Sequence, residues 1–302
     1  MSVFIANNWH NYTILDAGDG EKLETWGKIT VIRPDPQIIW AKFNPKIWQN
    51  CHMHYHRSKS GGGSWEQKKP VPPQWQINYN NLTFIIKPTD FKHMGLFPEQ
   101  AANWDWLTKI ISENAAKNSA KKMHKKTVRV LNLFGYTGGA TVACINAGAD
   151  VTHIDAAKGM NQWAKNNIKA SQLAEKPHRI ITDDVYKFVK REQRRNSFYD
   201  GIILDPPSYG RGPSGEIWKL ENRLFDLIQN CIALLSETPL FMLINTYTTG
   251  FSAVATENVL KSALAQANKK ISGKSLNSAT LGLPIANSNL ILPCGTSVRW
   301  LV

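Results

Sequence analysis

The spacing of hydrophobic and polar residues changes along this chain. Up to about residue 92, apolar residues occur in short runs that end at Pro, Gly or Asn, which is typical of β-strands joined by tight turns. Three such runs cover residues 28–34, 53–58 and 82–88, and the glycines at 61–63 predict a hairpin turn. We therefore predict a small β-rich N-terminal domain over residues 1–92.

From residue 93 the pattern alternates between strand and helix. A helix is predicted from Glu99 to about Ala120, followed by apolar strands at 128–134, 149–155, 179–184, 199–205 and 240–246. Helical segments follow them at 140–148, 158–173, 185–195, 216–235 and 253–269, and two last strands, 278–285 and 298–302, have no helix between them. Apolar strands that alternate with helices predict an α/β domain over residues 93–302, with a doubly wound, mostly parallel sheet and an antiparallel last strand.

Composition narrows the functional classes. The 302 residues are 42% hydrophobic and 20% charged, as in a chain that buries a core. No apolar run approaches the roughly 18 residues that cross a bilayer, and the first residues do not have the pattern of an export signal, so we expect no export. Four widely spaced cysteines without a CxxC pair fit a reducing cytosol, so we expect a cytoplasmic protein without membrane contact. The net charge of +13 favours a polyanionic partner, nucleic acid first.

Glycines and acids follow the predicted strands, at the edge where a doubly wound sheet binds its ligand. The first strand leads into a glycine loop at 132–139, the second ends at Asp155, and the third ends at Asp183 and Asp184. The loop is not GxGxxG, which disfavours a dinucleotide oxidoreductase. Gly135 and Gly138 with Asp155 suit adenosine carried without phosphates. The alternative is that the glycines only turn the chain.

The fourth strand ends in the run Asp205-Pro206-Pro207-Ser208-Tyr209. The prolines fix the backbone there, so a carboxylate could accept from a base edge while an aromatic ring stacks on the base. The alternative is a rigid proline turn.

The ordered segments NLFGYTGGA, HIDAAKG, TDDVYKF, LDPPSY and LPCGTSVRW together resemble the class I S-adenosylmethionine (SAM)-dependent methyltransferases. Within that class, the chain resembles the bacterial large-subunit ribosomal RNA methyltransferases of types I and K. The segment KHMGLFPEQAANW at 92–104 is similar to the one that leads into their catalytic domain. The resemblance extends from about residue 80 to the end. It implies a seven-stranded Rossmann-like sheet, SAM as cofactor and ribosomal RNA as partner.

The resemblance also assigns roles to individual residues. The residues expected to bind SAM are Phe97, Gln100, Asn132, Phe134, Gly135, Thr137, Gly138, Asp155 and Asp184. Among them, Asp155 is expected to hold the ribose and Asp184 to face the adenine edge. The residues expected to face the target base are Asp205, Pro206, Pro207 and Tyr209.

The chain departs from this branch in two ways. This sequence shows no counterpart of the RNA-binding PUA domain that often precedes this branch, so we expect RNA to dock on the basic surface and the β-rich domain. The segment after the fifth strand, residues 244–250, contains no cysteine, although C5 methylation of cytosine requires a thiolate nucleophile. We therefore expect methylation at a base nitrogen. The alternatives are a methyltransferase acting on DNA or protein, and a non-catalytic RNA-binding protein with a SAM fold.

Two further patterns have competing interpretations. His52, His54 and His56 would share one face of a strand beside Cys51, but a polar strand face is favoured over a metal site, and no metal is expected. Two basic clusters could contact phosphates or form solvated helix faces. One is the run 117–126, and the other comprises Lys187, Lys190, Arg191, Arg194 and Arg195. Arg211, just beyond the proline run, is better placed to touch a substrate phosphate.

Overall fold

The structure is a computed structural model, and it describes residues 2–58, 62–120, 127–211, 217–267 and 271–302. Two compact units can be distinguished. The larger unit comprises Met1–Phe4, Asn103–Leu281 and Gly295–Val302, and the β-rich unit comprises Ile5–Ala102 and Gly282–Cys294. Residues 93–102 thus group with the β-rich unit in this division, while the domain ranges 1–92 and 93–302 stay a prediction.

The secondary structure of the described residues follows the predicted order closely. The strands are β1 (Val3–Ile5), β2 (Tyr12–Gly18), β3 (Glu21–Trp26), β4 (Ile29–Pro34), β5 (Met53–Arg57), β6 (Gly63–Gln67), β7 (Trp75–Tyr79), β8 (Leu82–Ile86), β9 (Arg129–Leu133), β10 (Asp150–Asp155), β11 (His178–Thr182), β12 (Gly201–Leu204), β13 (Tyr209–Arg211), β14 (Ile217–Lys219), β15 (Phe241–Thr246), β16 (Ser275–Pro284) and β17 (Ile291–Leu301). The α-helices are α1 (Ala101–Ala120), α2 (Gly139–Asn146), α3 (Lys158–Ala170), α4 (Val185–Arg194), α5 (Leu220–Ile232) and α6 (Ala253–Gln266). Short 3₁₀ helices cover Pro45–Asn50 and Pro98–Gln100.

The large sheet has the strand order β1-β16-β17-β15-β12-β9-β10-β11. Strands β15, β12, β9, β10 and β11 pair in parallel, and β17 runs antiparallel to β15. The predicted doubly wound, mostly parallel sheet with an antiparallel closing strand is confirmed. It has eight strands among the described residues instead of seven, because the N-terminal segment adds β1 at the edge.

The order of the strands reverses at β9. From β9 the chain proceeds through β10 to β11 on one side, and it then returns to β12 on the other side. Helices α2 and α3 contact each other and strands β9 to β11, while α4, α5 and α6 share one apolar core with β9, β12 and β15. Strands β12 and β15 are buried throughout, as expected for parallel strands covered by helices. A ligand site is expected beside β9, where the order reverses.

The β-rich unit contains a five-stranded sheet, β2-β3-β4-β5-β6, and the hairpin β7-β8. At its centre the guanidinium of Arg33 binds both carboxylate oxygens of Glu24, at 2.7 and 2.9 Å. Burial opposes ionisation of Glu24, but the charges of Arg33 and Lys22 outweigh it and lower its pKa to about 2. This unit is therefore organised around a buried ion pair as well as an apolar core.

One predicted element differs clearly from the structure. The helix expected over 216–235 begins only at Leu220, because Ile217–Lys219 forms a strand that pairs antiparallel with Tyr209–Arg211. The ring of Trp218 packs against Phe134 with 5.3 Å between centroids, and this tertiary contact accompanies the strand. The predicted turn at 61–63 and the lysine run at 117–126 lie partly outside the described residues. Across the described ranges, no helix has the length and apolarity needed to cross a membrane.

Candidate active site

Strand register brings the candidate residues of the larger unit to one edge of the sheet. Leu133 pairs with Ile154 of β10 and with Leu204 of β12. Since all three strands are parallel, the residues that follow β9 and β12 and the last residue of β10 lie side by side. The glycine loop, Asp155 and Asp205 therefore meet at the carboxyl edge, as the sequence predicts.

The glycine loop adopts an uncommon backbone conformation. Phe134 and Tyr136 have φ values of 58° and 51°, in the left-handed region that residues with a side chain rarely adopt, and Gly138 has φ 85°. Gly138 directly precedes α2. Such strained positions persist only where surrounding contacts impose them, and they concentrate at functional sites.

A buried polar cluster supports the loop. A Cβ atom at position 135 would lie 2.3 Å from Cε1 of His153, so glycine is required there. Nδ1 of His153 lies 2.8 Å from Oγ1 of Thr141, and that oxygen accepts a 2.8 Å hydrogen bond from Nδ2 of Asn132. Burial lowers the pKa of His153 to about 4, so its imidazole is neutral at physiological pH. The predicted cofactor residue Asn132 thus has its side-chain nitrogen engaged with Thr141 within this cluster.

Asparagines of α3 connect this cluster to the neighbouring strands. Nδ2 of Asn161 donates to the backbone oxygen of Asp155 at 2.9 Å and to Oγ1 of Thr182 at 2.8 Å. Nδ2 of Asn167 donates to the backbone oxygen of Thr137 at 2.8 Å, which holds the loop from the helix. Within the described ranges, His153 Nε2 and Asn161 Oδ1 are buried without a hydrogen-bond partner. No sequence motif indicated these supporting residues.

Asp155 is held in a fixed orientation at the end of β10. Its Oδ2 accepts from the backbone N–H of Tyr136 at 2.9 Å, and its Oδ1 accepts from that of Ala157 at 2.8 Å. Burial raises the pKa of Asp155, and the two backbone hydrogen bonds oppose this effect only in part. The backbone N–H groups of Tyr136 and Ala157 thus fix the orientation of the carboxylate.

Asp184 lies beyond the end of β11 and caps helix α4. Its Oδ1 accepts from the backbone N–H of Lys187 at 2.8 Å. The adjacent Asp183 pairs with Arg191 at 2.5 Å. One oxygen of Asp184 is therefore used by the helix, and its contact with an adenine edge stays a prediction.

The Asp-Pro-Pro segment is anchored by groups that sequence analysis did not identify. The indole Nε1 of Trp218 donates to the backbone oxygen of Pro207 at 2.6 Å, and Oγ1 of Thr248 donates to Oγ of Ser208 at 2.7 Å. Asp205 is half-buried, Pro206 is buried, and Tyr209 retains 49% of its exposure. The segment therefore carries the carboxylate of Asp205 and the exposed phenol of Tyr209 on a backbone held by these hydrogen bonds.

Phe97 and Gln100 belong to the β-rich unit. The backbone N–H of Gln100 donates to the oxygen of Phe97 at 3.1 Å across a short 3₁₀ helix, and the Phe97 ring lies 5.4 Å from that of His93. Their contact with a cofactor stays a prediction.

Comparison with known proteins identifies the family of the chain. The family model described as S-adenosylmethionine-dependent methyltransferase matches residues 37–251. The chain belongs to this family. A SAM-dependent methyltransferase from Agrobacterium tumefaciens is 31% identical, with a TM-score of 0.90 over 100% of this chain and 93% of that chain.

Two relatives carry the description ribosomal RNA large subunit methyltransferase K/L. The protein of Syntrophotalea carbinolica is 28% identical over 165 residues, which are 54% of this chain and 21% of that protein. The protein of Hahella chejuensis is 29% identical over 186 residues, which are 61% of this chain and 23% of that protein. The chain thus matches less than a quarter of the length of these relatives.

The residues at the carboxyl edge of the sheet fit SAM, the methyltransferase's cofactor. Each oxygen of Asp155 accepts one backbone hydrogen bond and keeps acceptor capacity, which suits the two hydroxyls of a ribose. The loop at 132–139 contains no basic residue, so the site suits an adenosine without phosphates. SAM supplies a methyl group on a positively charged sulfur, and the acids at the ends of β10 and β11 are compatible with that charge.

Proposed function

We propose that this methyltransferase transfers a methyl group to a base nitrogen of RNA, that the RNA is ribosomal, and that the reaction takes place in the cytoplasm. The names of the two K/L relatives and the net charge of +13 support an RNA substrate. The four cysteines are all free, which fits a reducing compartment.

The state of the four thiols carries the proposal of a nitrogen target. Methyl transfer to C5 of a pyrimidine requires a thiolate that attacks the ring. A reactive thiolate comes from a thiol that is accessible and has a lowered pKa. Cys144 and Cys231 are fully buried in α2 and α5, and burial raises the pKa of both. Burial likewise raises the pKa of Cys51 and Cys294. Because the segments 205–209 and 244–250 also contain no cysteine, we expect none of the four to act as the nucleophile.

Methyl transfer to a base nitrogen requires no nucleophilic residue of the protein. The base must be held with its lone pair in line with the methyl group, which is a matter of positioning. Asp205 can accept a hydrogen bond from the base edge, and the exposed ring of Tyr209 can pack on the base face. The contacts from Trp218 and Thr248 keep this segment in place.

Helix α4 offers a surface for phosphates. Lys187, Lys190 and Arg194 are exposed and recur at intervals of three and four residues, so they lie on one side of the helix, the basic face of α4. Nζ of Lys190 also donates to Oδ1 of Asn230 at 2.6 Å. Of the neighbouring basic residues, Arg191 pairs with Asp183, and Arg195 lies 3.4 Å from Glu192. The side chains of Arg211 and of Lys121–Lys126 lie outside the described part of the chain.

The test uses purified protein, SAM with a tritiated methyl group, and RNA, DNA and protein from cells that lack the gene. We expect radioactivity in ribosomal RNA, and mass spectrometry of its nucleosides should find the methyl group on a ring nitrogen. An Asp205→Ala variant, which has no acceptor at this position, serves as the inactive control. Transfer only to DNA or protein would overturn the RNA assignment.

A second measurement isolates the nitrogen assignment. RNA carrying tritium at C5 of its pyrimidines releases that tritium when C5 is methylated and keeps it when a nitrogen is methylated. We expect no release, and we expect each Cys→Ser variant to keep most of its transfer activity. Release of tritium, or loss of transfer in one Cys→Ser variant, would restore the C5 mechanism.

A further inference from the structure

Two histidines and a glutamate converge on the sheet of the β-rich unit. His54 and His56 are two residues apart on β5, and their rings lie 4.0 Å apart. Across the antiparallel ladder, His54 faces Glu66 of β6. One potential ligand atom from each residue lies within 4.8 Å of the others. Sequence analysis favoured a polar strand face here, because it could not show that β6 brings a carboxylate to these histidines.

Hydrogen bonds already orient the three side chains. Nε2 of His56 lies 2.8 Å from a carboxylate oxygen of Glu66, and Nε2 of His54 lies 2.6 Å from a carboxylate oxygen of Glu21. Glu21 is itself held by Lys42 at 3.1 Å. Ring orientation by a second carboxylate is a recurrent feature of metal-binding histidines.

His52 does not belong to this group. Its Nδ1 accepts the backbone N–H of Thr30 at 3.1 Å, so that nitrogen is already used within the sheet. The third ligand therefore comes from Glu66 and not from the third histidine of the alternating pattern.

The donor set matches zinc chemistry. Two imidazoles and one carboxylate are a common set of protein ligands for Zn²⁺, and Zn–N and Zn–O distances of about 2.0–2.2 Å place tetrahedral ligands roughly 3.3–3.6 Å apart. The present ligand atoms lie within 4.8 Å of one another, so they must approach by up to about 1.5 Å to reach that value. His56 and Glu66 are each about half exposed, at 51% and 50%, so their side chains can adjust. A hard cation such as Mg²⁺ prefers oxygen ligands and does not fit.

We propose that His54, His56 and Glu66 form a Zn²⁺ site that joins β5 to β6. The ion would bind one nitrogen of each neutral imidazole and an oxygen of Glu66, while Glu21 keeps His54 oriented. A proton on a ligating nitrogen would move to the other ring nitrogen or be released to solvent. The site would be open, with one coordination position left for water. It lies within the β-rich unit and does not depend on the proposed RNA substrate.

The proposal is tested on the full chain, after treatment with a chelator, by competition with a chromogenic Zn²⁺ indicator. We expect one Zn²⁺ per chain in the tightest class of sites and no competition by Mg²⁺. His54→Ala, His56→Ala and Glu66→Gln should each weaken Zn²⁺ binding at least tenfold. His10→Ala, which removes an exposed histidine of the same unit, should leave it unchanged.

Two further measurements make the outcome decisive. Zn²⁺ should raise the melting temperature of the wild-type chain and of the His10→Ala variant but not that of Glu66→Gln, because a ligand that binds only the folded state stabilises it. SAM affinity should be the same in every variant, which verifies that each is folded. Absence of a tight Zn²⁺, or equal affinity in wild type and Glu66→Gln, would overturn the proposal. So would equal losses in His10→Ala and His54→Ala, because binding would then follow histidine content.

Discussion

Replacing Asp155 by alanine tests the cofactor site most directly. Each carboxylate oxygen has about two acceptor positions, and the backbone N–H groups of Tyr136 and Ala157 use one on each oxygen. One acceptor position is left on each of the two oxygens. These two positions match the two free hydroxyls of the SAM ribose. A hydrogen bond to a charged group is worth about 1.5–3 kcal/mol. Asp155→Ala should therefore weaken SAM binding at least tenfold, which corresponds to about 1.4 kcal/mol.

The raised pKa of Asp155 adds a pH dependence with a defined sign. Burial favours the protonated form of Asp155 in the folded protein, whereas SAM binding uses the ionised form. SAM affinity should therefore fall as the pH is lowered through a pKa above the usual 3.8 of an aspartate. The same shift makes protonation of Asp155 stabilise the SAM-free fold. That contribution is complete below the unfolded pKa and is lost as the pH rises through the folded pKa.

Isothermal titration calorimetry with SAM over a pH series is the assay. Asp155→Asn should bind weakly and show a flatter pH profile, because its side chain does not titrate. Asp150→Ala is the matched control, since Asp150 begins the same strand at its opposite end. Unchanged SAM affinity in a folded Asp155→Ala variant would refute the assignment, and so would an equal loss in Asp150→Ala.

Three further predictions concern the ion pair, the active site and the RNA surface. Glu24→Gln leaves Arg33 buried without its partner and should lower the free energy of unfolding by about 3–5 kcal/mol, measured by urea denaturation; the exposed Glu113→Gln should change it by less than about 0.5 kcal/mol. Because the pKa of Glu24 is lowered to about 2, its contribution is present above the unfolded value of 4.5 and is lost as the pH falls towards 2. Asp205→Ala should abolish methyl transfer and keep RNA and SAM affinity, since phosphate contacts dominate RNA binding; a comparable loss of RNA affinity would contradict this. Glutamine substitutions on the basic face of α4 should weaken RNA binding and reduce its salt dependence by about 0.7–0.9 log units for each phosphate that is no longer bound; an unchanged salt slope would contradict it.

The order of the elements and the edge that carries the site could be predicted because they depend on local patterns. Buried parallel strands are apolar throughout, and the loops that follow them contain glycines and acids in this chain. That information places Asp155 and Asp205 at one edge without knowledge of any contact. The pairing of Leu133 with Ile154 and Leu204 then shows that the ends of these three strands lie side by side.

Features that depend on residues distant in sequence could not be predicted. The helical pattern around Trp218 gave no sign that Ile217–Lys219 would pair with Tyr209–Arg211, because the contact of Trp218 with Phe134 exists only in the folded chain. The approach of Glu66 to two histidines of β5 depends likewise on a hairpin register. Local propensity is a weak guide where tertiary contacts decide.

The sequence located the glycine loop, but it did not show why glycine is needed there. The reason lies in the buried cluster of His153, Thr141 and Asn132. Gly135 is required because the ring of His153 occupies the space of a side chain, and His153 in turn is held near Thr141. A charged imidazole at this position would oppose the positive sulfur of SAM. Burial avoids that conflict by lowering the pKa of His153 to about 4, so the ring supports the loop as a neutral group. We therefore expect the carboxylate of Asp155 to act at the cofactor without an opposing positive charge from His153.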